Sequence, residues 1–268
     1  MKMSLSLIVV MTSSMWADEG SDAAEMARKL QDPLANIKML MFDNGVDFNT
    51  GNDDTSYTFS VQPVYAIPME SYNIVLRGVI PVVGLSPGAQ KPIIGEPLPP
   101  GRGETWGISD SQLQIFFSPK SDSAWKWGLG PVISLKTHTN SKLEGAGWGG
   151  GAAAVLVGSL SENISFSMVA GHTEGQNDFS TSFIQPMLFY NVPGVEGVAI
   201  SYNNTSTYNH NARSKNAWTI PLGAGVSKTF VMDNGMGVDL GIGYYNNVKR
   251  PKGAADWTLK WHVAIVFP

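Results

Sequence analysis

Gln62, Arg77, Asp110, Gln112, Gln114, Lys126, Lys136, Gln185, Asp239, Lys260 and His262 are the side chains whose type and position suit them to chemistry. Each falls along or at the end of a stretch in which apolar residues recur at every second place. Period two is strand geometry and sends neighbours to opposite faces. If one face of such strands meets lipid, a charge midway along must point the other way, because Arg or Lys turned to mid-membrane hydrocarbon costs roughly 2–4 kcal/mol. Gathered inside a closed wall, these groups would form a charged constriction that selects solutes. The competing reading is an ion-pair network that props the wall, and one set of residues can serve both.

Other chemistries are poorly supported. The histidines are His138, His172, His210 and His262, with no H-x-x-x-H spacing for a metal. No G-x-S-x-G occurs. The glycines of 147–151 follow no strand-to-helix pattern, which argues against a phosphate loop, and Asp53-Asp54 reads as solvated surface. No catalytic residue, metal or cofactor is expected. A rim hydrolase built from His138, His172, His210 and Asp178 is the enzymatic alternative. There are no cysteines, so neither disulfides nor thiolate metal sites are available. The net charge of −4 gives no footprint for nucleic acid.

The elements that must position the polar set are strands. Charged residues are 15% of the chain, against the quarter usual in soluble domains. The mean hydropathy of −0.04 is too low for a helical membrane protein. The clearest stretch is the last: Trp257, Leu259, Trp261, Val263, Ile265 and Phe267 alternate with Thr258, Lys260, His262, Ala264 and Val266. A tilted strand of about 9–11 residues crosses a bilayer. Strands are expected near 38–49, 56–67, 71–82, 107–118, 125–137, 147–158, 162–172, 179–191, 196–204, 216–229, 235–246 and 256–267. That dozen is an even number. The stretch 147–158 is rich in Gly and Ala and cannot be phased. Short turns (69–70, 118–123, 160–161, 193–194, 233–234) are expected to alternate with longer polar loops (50–55, 83–106, 138–146, 173–178, 203–215, 247–255). Outer-membrane barrels sort their connections in that way. Tyr57, Tyr65, Tyr72, Trp125, Trp127, Trp218, Tyr244, Tyr245 and Trp257 stand near strand ends, as interfacial girdles would.

Residues 1–17 read as a signal peptide, with Lys2 as the positive flank, 5–11 as the apolar core and cleavage after Ala17. Removing it takes the formal net charge from −4 to about −5. Residues 18–36 read as a helical segment capped by Ser21 or Asp22 and stopped by Asp32-Pro33. Residues 37–268 form the barrel. The loop 83–106 holds Pro87, Pro92, Pro97, Pro99 and Pro100, with apolar Ile93, Ile94 and Leu98, and is expected to fold over or into the barrel mouth. Gln62 and Gln185 each precede a strand proline, which removes a ladder donor and predicts broken pairing. The neighbouring amide is expected to serve the freed acceptor, and the gap offers a sideways route for a hydrophobic solute.

Scattered motifs run along most of the chain: Leu30-Gln31-Asp32-Pro33-Leu34-Ala35, Gln62-Pro63, Arg77 with Pro81, and Gly107-Ile108-Ser109-Asp110. They continue with Phe116-Phe117-Ser118-Pro119, Trp127-Gly128-Leu129-Gly130-Pro131, Gln185-Pro186, Trp218-Thr219-Ile220-Pro221, Gly225-Val226-Ser227-Lys228 and the terminal Asp256-Trp257 to Phe267-Pro268. In order and spacing they resemble the outer-membrane channel family labelled as transporters of the MetA pathway of phenol degradation. The resemblance implies a twelve-stranded monomeric barrel in the outer membrane of a bacterium, partnered by lipid and by small organic solutes. Passive uptake of hydrophobic or aromatic molecules would be its work. A structural or adhesion barrel, whose loops matter more than its lumen, is the remaining alternative.

Overall fold

The computed structural model describes residues 19–89, 104–121 and 123–268. The expected signal peptide lies outside them, as do Ile93, Ile94 and Leu98 of the long loop. The helix α1 spans Glu19–Leu30, shorter than the expected 18–36. Leu34's amide donates to the Asp32 carboxylate at 2.8 Å, so Asp32-Pro33 starts a turn and not another helical turn.

The rest is a closed antiparallel barrel of twelve wall strands. In chain order the strands are β1 (Lys38–Thr50), β2 (Asp54–Pro68), β3 (Tyr72–Leu85), β4 (Thr105–Ile108), β5 (Ser111–Pro119), β6 (Trp125–Leu135) and β7 (Gly149–Ser161). There follow β8 (Ile164–Glu174), β9 (Ser180–Asn191), β10 (Val198–Asn203), β11 (Ser206–Asn209), β12 (Trp218–Val231), β13 (Gly237–Lys249) and β14 (Trp257–Phe267). β4 with β5, and β10 with β11, are each one wall strand interrupted by two residues. Every neighbour in sequence pairs antiparallel, and β1 pairs β14 from Lys38 opposite Phe267 to Phe48 opposite Trp257. Closure leaves no free edge, which is the condition for a sheet to stand in hydrocarbon.

The expected phase of β14 holds. Lys260, His262 and Ala264 line the interior, while Trp261 is 39% and Phe267 45% exposed on the outside. The outer face carries Ile80, Leu129, Leu188, Ile200, Leu222, Leu240 and Ile242, all exposed, as a broad apolar surface. Aromatics pair at both ends of this belt: Phe48 stacks on Trp257 at 3.8 Å and Tyr57 on Trp106 at 5.5 Å at one end, and Trp125 meets Phe166 edge-on at 6.2 Å at the other. Tyr245 departs from the expected girdle, because it is buried and lines the interior.

The strand that resisted phasing is now read: Ala153, Val155 and Val157 of β7 are buried inside. They pack with Leu34, Val75, Phe116, Val132, Val169 and Met187 into an apolar core that fills one side of the lumen. Gly149 and Gly151 share that inward face. A Cβ on either would come within 2.2 Å of a β8 carbonyl oxygen, so the wall there excludes any side chain.

The connections are less strictly sorted than expected. Residues 51–53 link β1 to β2 as briefly as 69–71 link β2 to β3, and 175–179 is no longer than 192–197. The long connections 86–104 and 136–148 do fall at the same end. The described base of the long loop turns inward, since Leu85 and Ala89 are buried with Val83 and Leu143 at that mouth.

Both Gln-Pro sites carry broken pairing. β2–β3 register runs from Val61 opposite Ile80 directly to Val64 opposite Arg77. β9 pairs with β10 through Met187 and resumes with β11 at Ile184, so Gln185 and Pro186 face the Asn204-Thr205 interruption. The amides do not serve freed backbone acceptors, however. Gln62 donates to Ser60 Oγ at 2.9 Å, and Gln185 donates to Asn203 Oδ1 at 2.9 Å.

Candidate functional site

The apolar core occupies the β5–β8 side, so open space is displaced toward β13, β14, β1 and β2. It divides into two chambers. The inner chamber lies at the short-turn end and the outer at the long-loop end. Among the described residues, Asp43 and Lys260 alone border both. Their side chains meet at 3.4 Å across the β1–β14 seam, where Gly45 pairs with Lys260 and Asp43 with His262.

The outer chamber is lined by hydroxyls and amides, among them Ser56, Thr58, Thr207, Thr219 and Asn247, with Asp47 held by Thr258 Oγ1 at 2.5 Å. Such a surface suits water and passing polar groups.

The inner chamber has two unlike walls. Phe116, Val169, Met187 and Phe189 make one, and Met39, Met41 and Ala264 extend its apolar character. The other is polar: Asp43, Gln62, Arg77, Gln185, Asn203, Asp239, Tyr245, Lys260 and His262. His262 Nε2 lies 2.6 Å from Asp239 Oδ2, and Thr229 donates to Asp239 Oδ1 at 2.6 Å. Arg77 Nη2 donates to Gln62 Oε1 at 2.7 Å.

The floor is the chain between α1 and β1. Leu30, Gln31, Asp32, Pro33, Ala35 and Ile37 all border the inner chamber. Lys126 Nζ binds Asp32 Oδ2 at 2.8 Å, Gln31 and Asn191 exchange amide hydrogen bonds at 2.7 and 3.2 Å, and Ser167 Oγ donates to the Gln31 carbonyl at 3.1 Å. Leu34, only 3% exposed, anchors the segment in the apolar core. Asp32 and Gln31 therefore tie a plug to three separate strands.

Of the residues singled out by sequence, Gln62, Arg77, Gln185, Asp239, Lys260 and His262 border the inner chamber. The others stand elsewhere. Asp110 is fully buried in the β4–β5 interruption. It accepts from the amides of Thr137, His138, Gly145 and Gly147 and meets His138 Nδ1 at 2.7 Å, so it anchors the 136–148 loop. Lys136 lies in that loop, 4.0 Å from Glu144. Lys126 holds the plug. Gln112 and Gln114 share the inward face of β5 with Phe116 but border neither chamber; Gln114 is buried, and its Oε1 has no hydrogen-bond partner. Asp43 and Asp47 were missed, although each is a charge midway along β1 and the same phase rule finds them. Asp32, Gln31 and Tyr245 act through tertiary contacts that no local pattern signals.

On the outer surface, at the long-loop end, Ser182 Oγ lies 3.0 Å from His172 Nδ1 and 2.8 Å from His210 Nε2. His172 Nε2 is 3.5 Å from Glu174 Oε1. Asp178 lies in the adjoining turn and His138 is bound to Asp110 instead. No group of three or more His, Cys, Asp or Glu fit to hold a metal occurs among the described residues.

No protein-family model matches the chain, and no curated protein does. Solved structures do match. The NanC porin is 9% identical, with a TM-score of 0.50 over 85% of this chain and 99% of that one. The beta domain of the Bordetella autotransporter BrkA is 12% identical over 87% of this chain and 99% of that one, with a TM-score of 0.42. LpxR from Salmonella typhimurium is 6% identical over 85% and 100%, with a TM-score of 0.38. At these identities the likeness speaks to the fold alone, and the fold is that of outer-membrane barrels.

Proposed function

We propose that the chain is a monomeric outer-membrane channel that lets small, largely apolar or aromatic organic molecules diffuse inward without a cofactor or an energy source. The short turns and the α1 plug face the periplasm, and the long loops face outward. The observation that carries this reading is the pair of chambers that share Asp43 and Lys260 in their walls, inside a barrel whose outer surface is oily. A solute leaves water at the hydroxyl-lined outer chamber and passes the charged waist. It then finds an apolar wall of Phe116, Val169, Met187 and Phe189 below. The phenol-pathway resemblance of the sequence supports the same solute class. Planar-bilayer conductance of the purified protein, with uptake of benzyl alcohol and benzoate into proteoliposomes, tests it. The expected result is a small, steady conductance and uptake of aromatics ahead of sugars of similar size. A silent protein, or sugars entering as fast, would overturn the reading.

A second reading rests on Ser182. Its hydroxyl stands between two imidazoles, one of them backed by Glu174, on the outer wall where lipid esters pass. An esterase there would label Ser182 with a fluorophosphonate, and Ser182→Ala would abolish the label. An unlabelled Ser182 leaves the channel as the sole activity.

A further inference from the structure

The ionisable side chains on the inner-chamber wall are Asp32, Asp43, Arg77, Asp239, Lys260 and His262. Asp32 is paired with Lys126, Asp43 with Lys260, and Asp239 with His262. Among the described residues, Arg77 has no carboxylate within ion-pair distance. Asp43 attracts it from farther away but is taken up by Lys260.

Among the described residues, its one hydrogen-bond partner is the neutral Gln62. Gln62 is itself buried and fixed, because its Nε2 donates to Ser60 Oγ and so its Oε1 is left facing the guanidinium. The arrangement orients Arg77 without cancelling its charge. A guanidinium offers five N–H donors in a planar fork that matches a carboxylate.

The apolar wall begins beside it. Val64 lies directly across from Arg77 on β2. Val75, two residues earlier on the same face of β3, pairs with Phe116. A charged group at Arg77 would thus have its apolar body against Phe116, Val169 and Met187.

Resting on the channel reading, we infer that the inner chamber is a binding site for amphipathic monocarboxylates, aromatic or medium-chain aliphatic, with Arg77 as the carboxylate receptor and Gln62 as its positioning residue. The orphan guanidinium selects the anion. The apolar wall selects the body by removing its surface from water.

Calorimetry on the detergent-solubilised full chain compares benzoate, benzamide and acetate. Benzoate is expected to bind at least tenfold tighter than either of the others. Benzamide keeps the ring and loses the charge, while acetate keeps the charge and loses the ring. Gln62→Glu supplies the missing carboxylate to Arg77 and should bring benzoate down to the level of benzamide. Arg77→Met should do the same, and heat-modifiable gel mobility checks that both variants fold. Benzamide or acetate binding as well as benzoate in the wild type would overturn the inference, as would a benzoate preference that survives Gln62→Glu. A wild-type protein that binds benzoate but conducts nothing and takes up no solute would instead sink the channel.

Discussion

Asp43 on β1 and Lys260 on β14 meet at 3.4 Å where the first and last strands of the barrel join, and among the described residues they alone border both of its chambers. The pair is partly exposed, each side chain at 24%. Its worth to stability is therefore modest, on the order of 1 kcal/mol. Its effect on passing ions is larger, because a narrow lumen focuses the field of each charge. Lys260→Gln is expected to leave Asp43 uncompensated and shift the reversal potential in a salt gradient toward cations. Asp43→Asn should shift it toward anions. Reversal potentials that match the wild type in both variants would remove the pair from the conduction path.

The plug gives a second expectation. Gln31 binds Asn191 on β9, Asp32 binds Lys126 on β6 and Leu34 packs into the apolar core, and β1 begins only at Lys38. Deleting residues 19–36 should open the inner end and raise single-channel conductance several-fold. The cost is a gap in the apolar core where Leu34 stood, of about 2–5 kcal/mol for a buried leucine. A folded variant with unchanged conductance would mean that the waist alone limits flow.

The wall phase is tested by moving one arginine a single place along β14. Val263 faces outward in mid-strand, and His262 faces the chamber beside Asp239. Val263→Arg should impair insertion, at roughly 2–4 kcal/mol for a cation in mid-membrane lipid. His262→Arg puts its cation inside the chamber beside Asp239 and should insert as the wild type does. Urea-unfolding midpoints in vesicles read the difference directly, and equal midpoints would invert the assignment of faces.

Asp110 carries the loop end. Its carboxylate takes four backbone amides and an imidazole while fully buried. Asp110→Ala strands those donors, at about 1–3 kcal/mol for each one left without a partner or water. The 136–148 loop should become open to proteolysis while the strands resist. A loop as resistant as in the wild type would show that Leu143, packed with Val83 and Leu85, holds it alone.

The wall was legible because lipid imposes a contrast that the sequence must carry residue by residue. The alternation Trp257-Thr258-Leu259-Lys260 is enough to place Lys260 and His262 inside. Where side chains carry no such contrast the reading fails: Gly149 to Ala154 has neither a greasy nor a wet alternate, and only contact with β6 and β8 shows its faces. Asp110 obeyed the period of its strand yet serves a loop, because an interruption between β4 and β5 turns its carboxylate toward amides distant in sequence. The plug was half legible. Asp32-Pro33 announced an end to the helix, but the partners Lys126, Ser167 and Asn191 are far along the chain and nothing local names them.

Closure by β1 against β14 has a consequence for assembly. Lys38 and Phe267 are direct neighbours in the finished wall, yet nearly the whole polypeptide separates them. Until the final strand arrives, β1 and β13 each present a bare row of amides and carbonyls. Such distant pairing forms slowly. A chain halted before β14 would therefore be left sticky at both margins, and its fate would depend on protection from aggregation more than on its own stability.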